Sequence, residues 1–102
     1  MNAKELLLTA AAIVEADPKA WTKGVSARSA DGNLVHADSP KAVCWCAIGF
    51  INRNVNVNRD SKTSARDALR NLTLGSIVEH NDEVIKTSQE FVSWFRKAAD
   101  LL

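Results

Sequence analysis

The chain contains no tyrosine, one methionine and only two cysteines among its 102 residues. Two cysteines are too few for the disulfide scaffold of a small secreted protein, and a chain of this length does not need one. An excess of one charge is also missing. Thirteen Lys and Arg against twelve Asp and Glu leave +1 at pH 7, so no global field draws nucleic acid or acidic lipid, and a charged partner has to be recognised locally. No apolar run approaches the roughly 20 residues of a membrane span. The run "LLLTAAAIV" at 6–14 is flanked by Glu5 and Glu15 and preceded by Lys4 as its only basic side chain, which argues against an export signal and for a cytoplasmic protein. What remains is a single domain over 1–102, with the 46% apolar and 25% charged residues of an ordinary globular chain and room for one core.

Periodicity predicts a mainly α fold: about four helices, with one small β-hairpin between the first two. Leu6, Leu7, Ala10, Ala11, Ile13 and Val14 recur at helical spacing and place a helix over 3–16, stopped by Asp17-Pro18. The same Asp-Pro pair suits the start of a short turn that delivers Trp21 to the core. Asp31-Gly32 predicts a tight turn between two short extended runs within 24–37. "DSPKAVCWCAIGFINR" reads as a central helix over 39–53, capped by Ser39, begun by Pro40 and apolar on several sides. The asparagine-rich stretch 52–60 reads as a loop. A further helix follows, capped by Ser61 or Ser64, with Ala65, Ala68, Leu69 and Leu72 as its core face and Gly75 at its end. Ser76 with Glu79, and Thr87 with Glu90, are capping-box patterns. The second opens a last helix whose Phe91, Trp94, Phe95, Ala98 and Leu102 share a face.

Within that scheme the two cysteines act singly. On a helix, Cys44 and Cys46 point about 200° apart, so they neither bridge nor share a metal ion. His36 and His80 lie far apart in sequence and provide no zinc-ligand spacing. No metal site and no cofactor are expected. Cys46 with His80 and Asp82 nevertheless contains the residue types of a thiol-dependent hydrolase, which need only meet in space. Against this, the cysteine lies on an apolar stripe and about six residues beyond the cap that would stabilise a thiolate.

"HNDE" at 80–83 is the densest polar cluster, a candidate ligand-gripping corner or a set of turn-forming side chains. Trp45, His80, Asn81 and Asp82 are therefore the candidate binding residues. Trp45 is a candidate because a crowded central helix could leave it at a surface that a partner uses. Lys62, Arg66 and Arg70, with Arg59 and Arg53 close by in sequence, form a basic ridge at i, i+4 and i+8 that could follow phosphates, although Asp60 and Asp67 interrupt it and nucleic acid is the less favoured partner.

Several of these segments resemble a family of small bacterial and bacteriophage domains of unknown function. The features are "WTKG" with Ala27-Arg28 and Asp31-Gly32 behind it, "WCAIG" at 45–49, Asn81-Asp82, and Thr87 leading into "EFVSWFRKA". They span the chain from Trp21 onward. Two positions depart from the family pattern: His80 stands where a tryptophan is expected and Phe50 where a small residue is expected. A histidine packed in an indole's place would be structural rather than catalytic. The resemblance implies no activity. Together with the absence of catalytic machinery, it favours a non-enzymatic binding or regulatory module, monomeric or homodimeric, whose partner is another protein.

Overall fold

Helix α1 covers Ala3–Ala16 and is started by Asn2. The Asn2 carboxamide accepts the Glu5 amide at 2.8 Å, and the Glu5 carboxylate accepts the Asn2 amide at 3.1 Å, which satisfies two of the donors that a helix start leaves free. Leu6, Leu7, Ala10, Ala11 and Val14 are buried along one face, as the periodicity predicts. That face packs mainly against the last helix, Ser88–Ala99, where Thr87 and Glu90 form the expected capping box with both bonds at 3.1 Å. There Phe91 and Phe95 stack at 4.2 Å between ring centres, and Phe50 meets them at 5.6 and 6.5 Å. Aromatic rings in such offset and edge-on contacts supply much of the core.

Between these two helices the computed structural model, which describes all of residues 1–102, holds a two-stranded antiparallel sheet. Strand β1, Ala27–Ser29, pairs with β2, Ala42–Trp45, in the register Ala27 to Trp45 and Arg28 to Cys44, with a bulge after Arg28. The expected turn is present: Gly32 takes φ +83° and its amide bonds to the Ser29 carbonyl at 2.9 Å. Only one bridge, Arg28 to Leu34, continues that local hairpin. The regular partner of β1 comes from further along the chain.

That partner corrects the predicted helix over 39–53. Residues 42–45 are a strand, and the helix α2 covers only Ala47–Asn52, capped by Cys46. The Cys46 amide donates to the Ser26 carbonyl at 3.1 Å instead of to a preceding turn of helix. Gly49 explains the close fit. A Cβ at this position would lie 2.0 Å from the Ser26 carbonyl oxygen, so the strand can cross the first turn of α2 only where a side chain is absent.

Helix α3, Arg59–Arg70, is capped by Asn58, whose side chain accepts the Ser61 amide at 2.8 Å. The cap therefore comes from the asparagine-rich loop rather than from Ser61 or Ser64. Ala65, Ala68 and Leu69 are buried as expected, whereas Leu72 lies beyond the helix and outside the core. Leu102 is exposed for the same reason, because the last helix ends at Ala99. Ser76 caps the single turn α4, Ile77–Glu79, by accepting the Glu79 amide at 3.0 Å. A wide five-residue π-helical turn, His80–Val84, follows and closes with the Ile85 amide on the His80 carbonyl at 2.9 Å. Ser88–Ala99 is thus α5.

Candidate functional site

The wide turn determines where the polar cluster points. Closing over five residues instead of four shifts the side-chain directions, and both His80 and Asn81 are buried there. They serve different neighbours. The His80 ring packs on Trp94 with centroids 4.6 Å apart, and its Nδ1 accepts the Leu74 amide at 3.1 Å. A nitrogen that accepts an N–H carries no proton of its own, so His80 is neutral in this arrangement. Burial also lowers its pKa below the ordinary 6.5.

Asn81 is fully buried, at 0% exposure. Its oxygen accepts the Trp21 indole N–H at 2.9 Å and the Ala47 amide at 3.1 Å, and its nitrogen donates to the Thr22 carbonyl at 3.2 Å and the Asp82 carboxylate at 2.9 Å. Both of the groups facing the oxygen can only donate, which settles the orientation of the amide. Four bonds exhaust what the side chain can make. They tie the wide turn to the segment around Trp21 and to the start of α2, which lie 60 and 34 residues from Asn81 in sequence. Asp82 adds a tie of its own by accepting the Gly24 amide at 3.0 Å.

Cys46 stands next to this knot. It caps α2, contrary to its expected place deep within a helix, and its sulfur accepts the Gly49 amide at 3.4 Å. Amides at a helix start ordinarily stabilise a thiolate. Here burial outweighs them and raises the thiol pKa: the Gly49 and Ile48 amides pull it down, while the Asp82 charge pushes it further up. The carboxylate is thus placed to keep the thiol protonated, the opposite of what a nucleophile requires. Cys46 and His80 bond to separate backbone amides, with no hydrogen bond between them. Both cysteines are free thiols. Cys44 lies in β2, so the helical angle between them does not apply; its sulfur is 4.0 Å from the Arg28 carbonyl. No three His, Cys, Asp or Glu side chains converge as metal ligands would.

Trp45 is buried, with its indole N–H on the Ala37 carbonyl at 2.8 Å and the Arg53 guanidinium over its ring at 4.0 Å. In sequence Arg53 is only a cation close to the basic ridge. A basic residue eight positions after a tryptophan does not signal their contact until the strand-to-helix bend brings them together. Of the basic ridge on α3, Arg70 pairs with Asp67 at 2.9 Å and Arg66 bonds to Thr63 at 3.3 Å, so two of the three cations are engaged on their own helix. No helix is long and apolar enough to cross a membrane.

A profile described as a family of unknown function (DUF6197) matches residues 1–101. No curated protein and no solved structure matches the chain.

Proposed function

The chain belongs to this family of unknown function, and from that premise we propose that it is a non-enzymatic, cytoplasmic protein-binding or regulatory module whose partner is another protein. One observation carries the reading. The candidate catalytic side chains Cys46, His80 and Asp82 are engaged in internal bonds, and no buried side-chain polar atom lacks a partner, while Leu72 and Val84 stay partly exposed at the wall of one groove.

That groove, about 370 Å³, is lined by Leu72, Val84, Ile85 and Trp94 and by His80, Glu90, Ser93 and Lys97. Leu72 and Val84 are 36% and 37% exposed at its wall, and Leu74 and Val78, close to them in sequence, are 71% and 51% exposed. Partly exposed aliphatic side chains rimmed by polar and charged ones are what a protein-binding groove offers.

The test compares capture of proteins from native host lysate by the wild type and by a Leu74→Glu, Val78→Glu variant. Both positions are exposed, so the variant keeps its helical circular dichroism. One stoichiometric partner recovered by the wild type and lost by the variant is the expected result; equal recovery, or none by either, overturns the reading. The thiol-hydrolase alternative, with Cys46, His80 and Asp82, is separated by alkylation. Protection of Cys46 until denaturant is added accords with the proposal, and rapid alkylation of the native protein at low pH contradicts it.

A further inference from the structure

The six arginines differ in how their guanidinium groups are satisfied. Arg70 and Arg96 pair with carboxylates at 2.9 and 2.7 Å, Arg66 bonds to a threonine hydroxyl, and Arg28 donates to the Thr22 hydroxyl and to the Gly32 and Lys23 carbonyls. Arg59 is exposed to water. Arg53 alone is both half-buried and without any hydrogen-bond acceptor or anionic partner in the chain. Its orientation is nonetheless held: the guanidinium lies over the Trp45 ring at 4.0 Å, and Trp45 is itself anchored through the Ala37 carbonyl. Burial depresses the Arg53 pKa, with no compensating anion.

The same residue stands at the edge of a cleft of about 200 Å³ between α1 and α2. Leu6, Ala10, Ile13 and Phe50 make its walls apolar, Thr9 and Asn54 supply polar atoms, Met1 completes the lining, and no acidic side chain lines it. At about 30 Å³ for a water-sized group, that volume holds roughly six non-hydrogen atoms. An apolar recess lined by an oriented guanidinium without an anionic partner has a defined complement. A planar carboxylate matches the guanidinium fork through two parallel bonds, and a short hydrocarbon chain matches the recess.

We propose that the cleft between α1 and α2 is a binding site for a carboxylate carried on a short apolar chain, with Arg53 gripping the carboxylate and Leu6, Ala10, Ile13 and Phe50 enclosing the chain. The site lies apart from the groove at Leu72 and His80 and does not depend on it. The carboxylate can belong to a free short-chain acid or to the end of a peptide, and the two sources are distinguished by the probe.

The experiment titrates 4-methylpentanoate into the ¹⁵N-labelled protein and follows backbone amide shifts. The expected result is saturable movement of Ile13, Phe50 and Asn54 at about millimolar acid. Binding is to be weaker by about tenfold or more for 4-methylpentan-1-ol and for the Arg53→Met variant, since each removes a charge-assisted bond. Arg53→Lys, which keeps the charge but loses the fork, falls between. A leucine-terminated peptide that binds as the free acid and not as the amide assigns the site to chain ends, and its failure beside a binding free acid assigns it to small acids. The proposal is overturned if about 10 mM acid produces no saturable shift in the wild type. Equal binding of the alcohol and the acid overturns it without reference to any variant, and so does undiminished binding by Arg53→Met.

Discussion

Asn81 and Arg53 are both polar side chains set among apolar ones, each beside a tryptophan, and they are satisfied in opposite ways. Asn81 is fully buried and uses its whole hydrogen-bonding capacity on Trp21, Thr22, Ala47 and Asp82. Arg53 is held over Trp45 and uses none of its five N–H groups within the chain. Density of polar residues in sequence therefore points to the one whose bonds are all made within the chain. The crowded "HNDE" corner is closed, because a buried amide costs too much unless every bond is made. The solitary arginine is the group left open.

The comparison is broken most severely by Asn81→Asp. The new carboxylate would face the Thr22 carbonyl and the Asp82 carboxylate where an N–H₂ now donates, burying an unpaired charge among acceptors. A loss of about 4–5 kcal/mol is expected, a large part of the stability of a small domain, and urea unfolding measures it. Gly49→Ala comes next. Its methyl would collide with the Ser26 carbonyl that crosses α2, forcing β1 and the helix apart at a cost of about 3 kcal/mol in the same assay.

Trp45→Phe acts on the open side. It removes the bond to the Ala37 carbonyl and weakens the ring beneath Arg53 while keeping much of the packing, for about 1–2 kcal/mol. The smallest expected effect sharpens the closed side. Because burial lowers the folded-state pKa of His80 below 6.5, the unfolded chain takes up a proton before the native one does. Stability from this group is complete above about pH 6.5, declines as pH falls toward the folded-state pKa and levels off below it. Urea midpoints at pH 7.5 and 5 reveal the slope, and in His80→Phe that part of the slope disappears.

Helices α1 and α5 were legible because their burial follows one local period, and for α5 also because its cap is a local pair, Thr87 with Glu90; the Asn2–Glu5 pair that caps α1 went unread. Segment 42–46 was not. "AVCWC" satisfies a helical stripe and a strand equally well, and the choice between them is made by Ser26 and Ala27, about twenty residues earlier. Gly49, inside an otherwise apolar run, was the one local sign of a close backbone approach. The Asn58 cap was hidden by two competing serines a few residues on. The polar corner was found by its composition, but its role rests on the Trp21 indole 60 residues away, which no spacing rule connects to Asn81. Arg53 was visible only as a cation near the basic ridge, since its distinction is the absence of a partner, which no sequence pattern carries.

The central claim is that the Asn81 corner is a closed structural knot, and hydrogen exchange tests it most directly. The Trp21 indole N–H and the Asn81 side-chain N–H₂ can be followed by NMR after transfer to deuterated buffer. If the knot opens only when the protein unfolds, the Trp21 indole N–H exchanges with the slow backbone amides of α5 and shows the same urea dependence. Exchange of that indole within seconds, while the amides of α5 remain protected, would contradict the account and return the corner to the role of an accessible site.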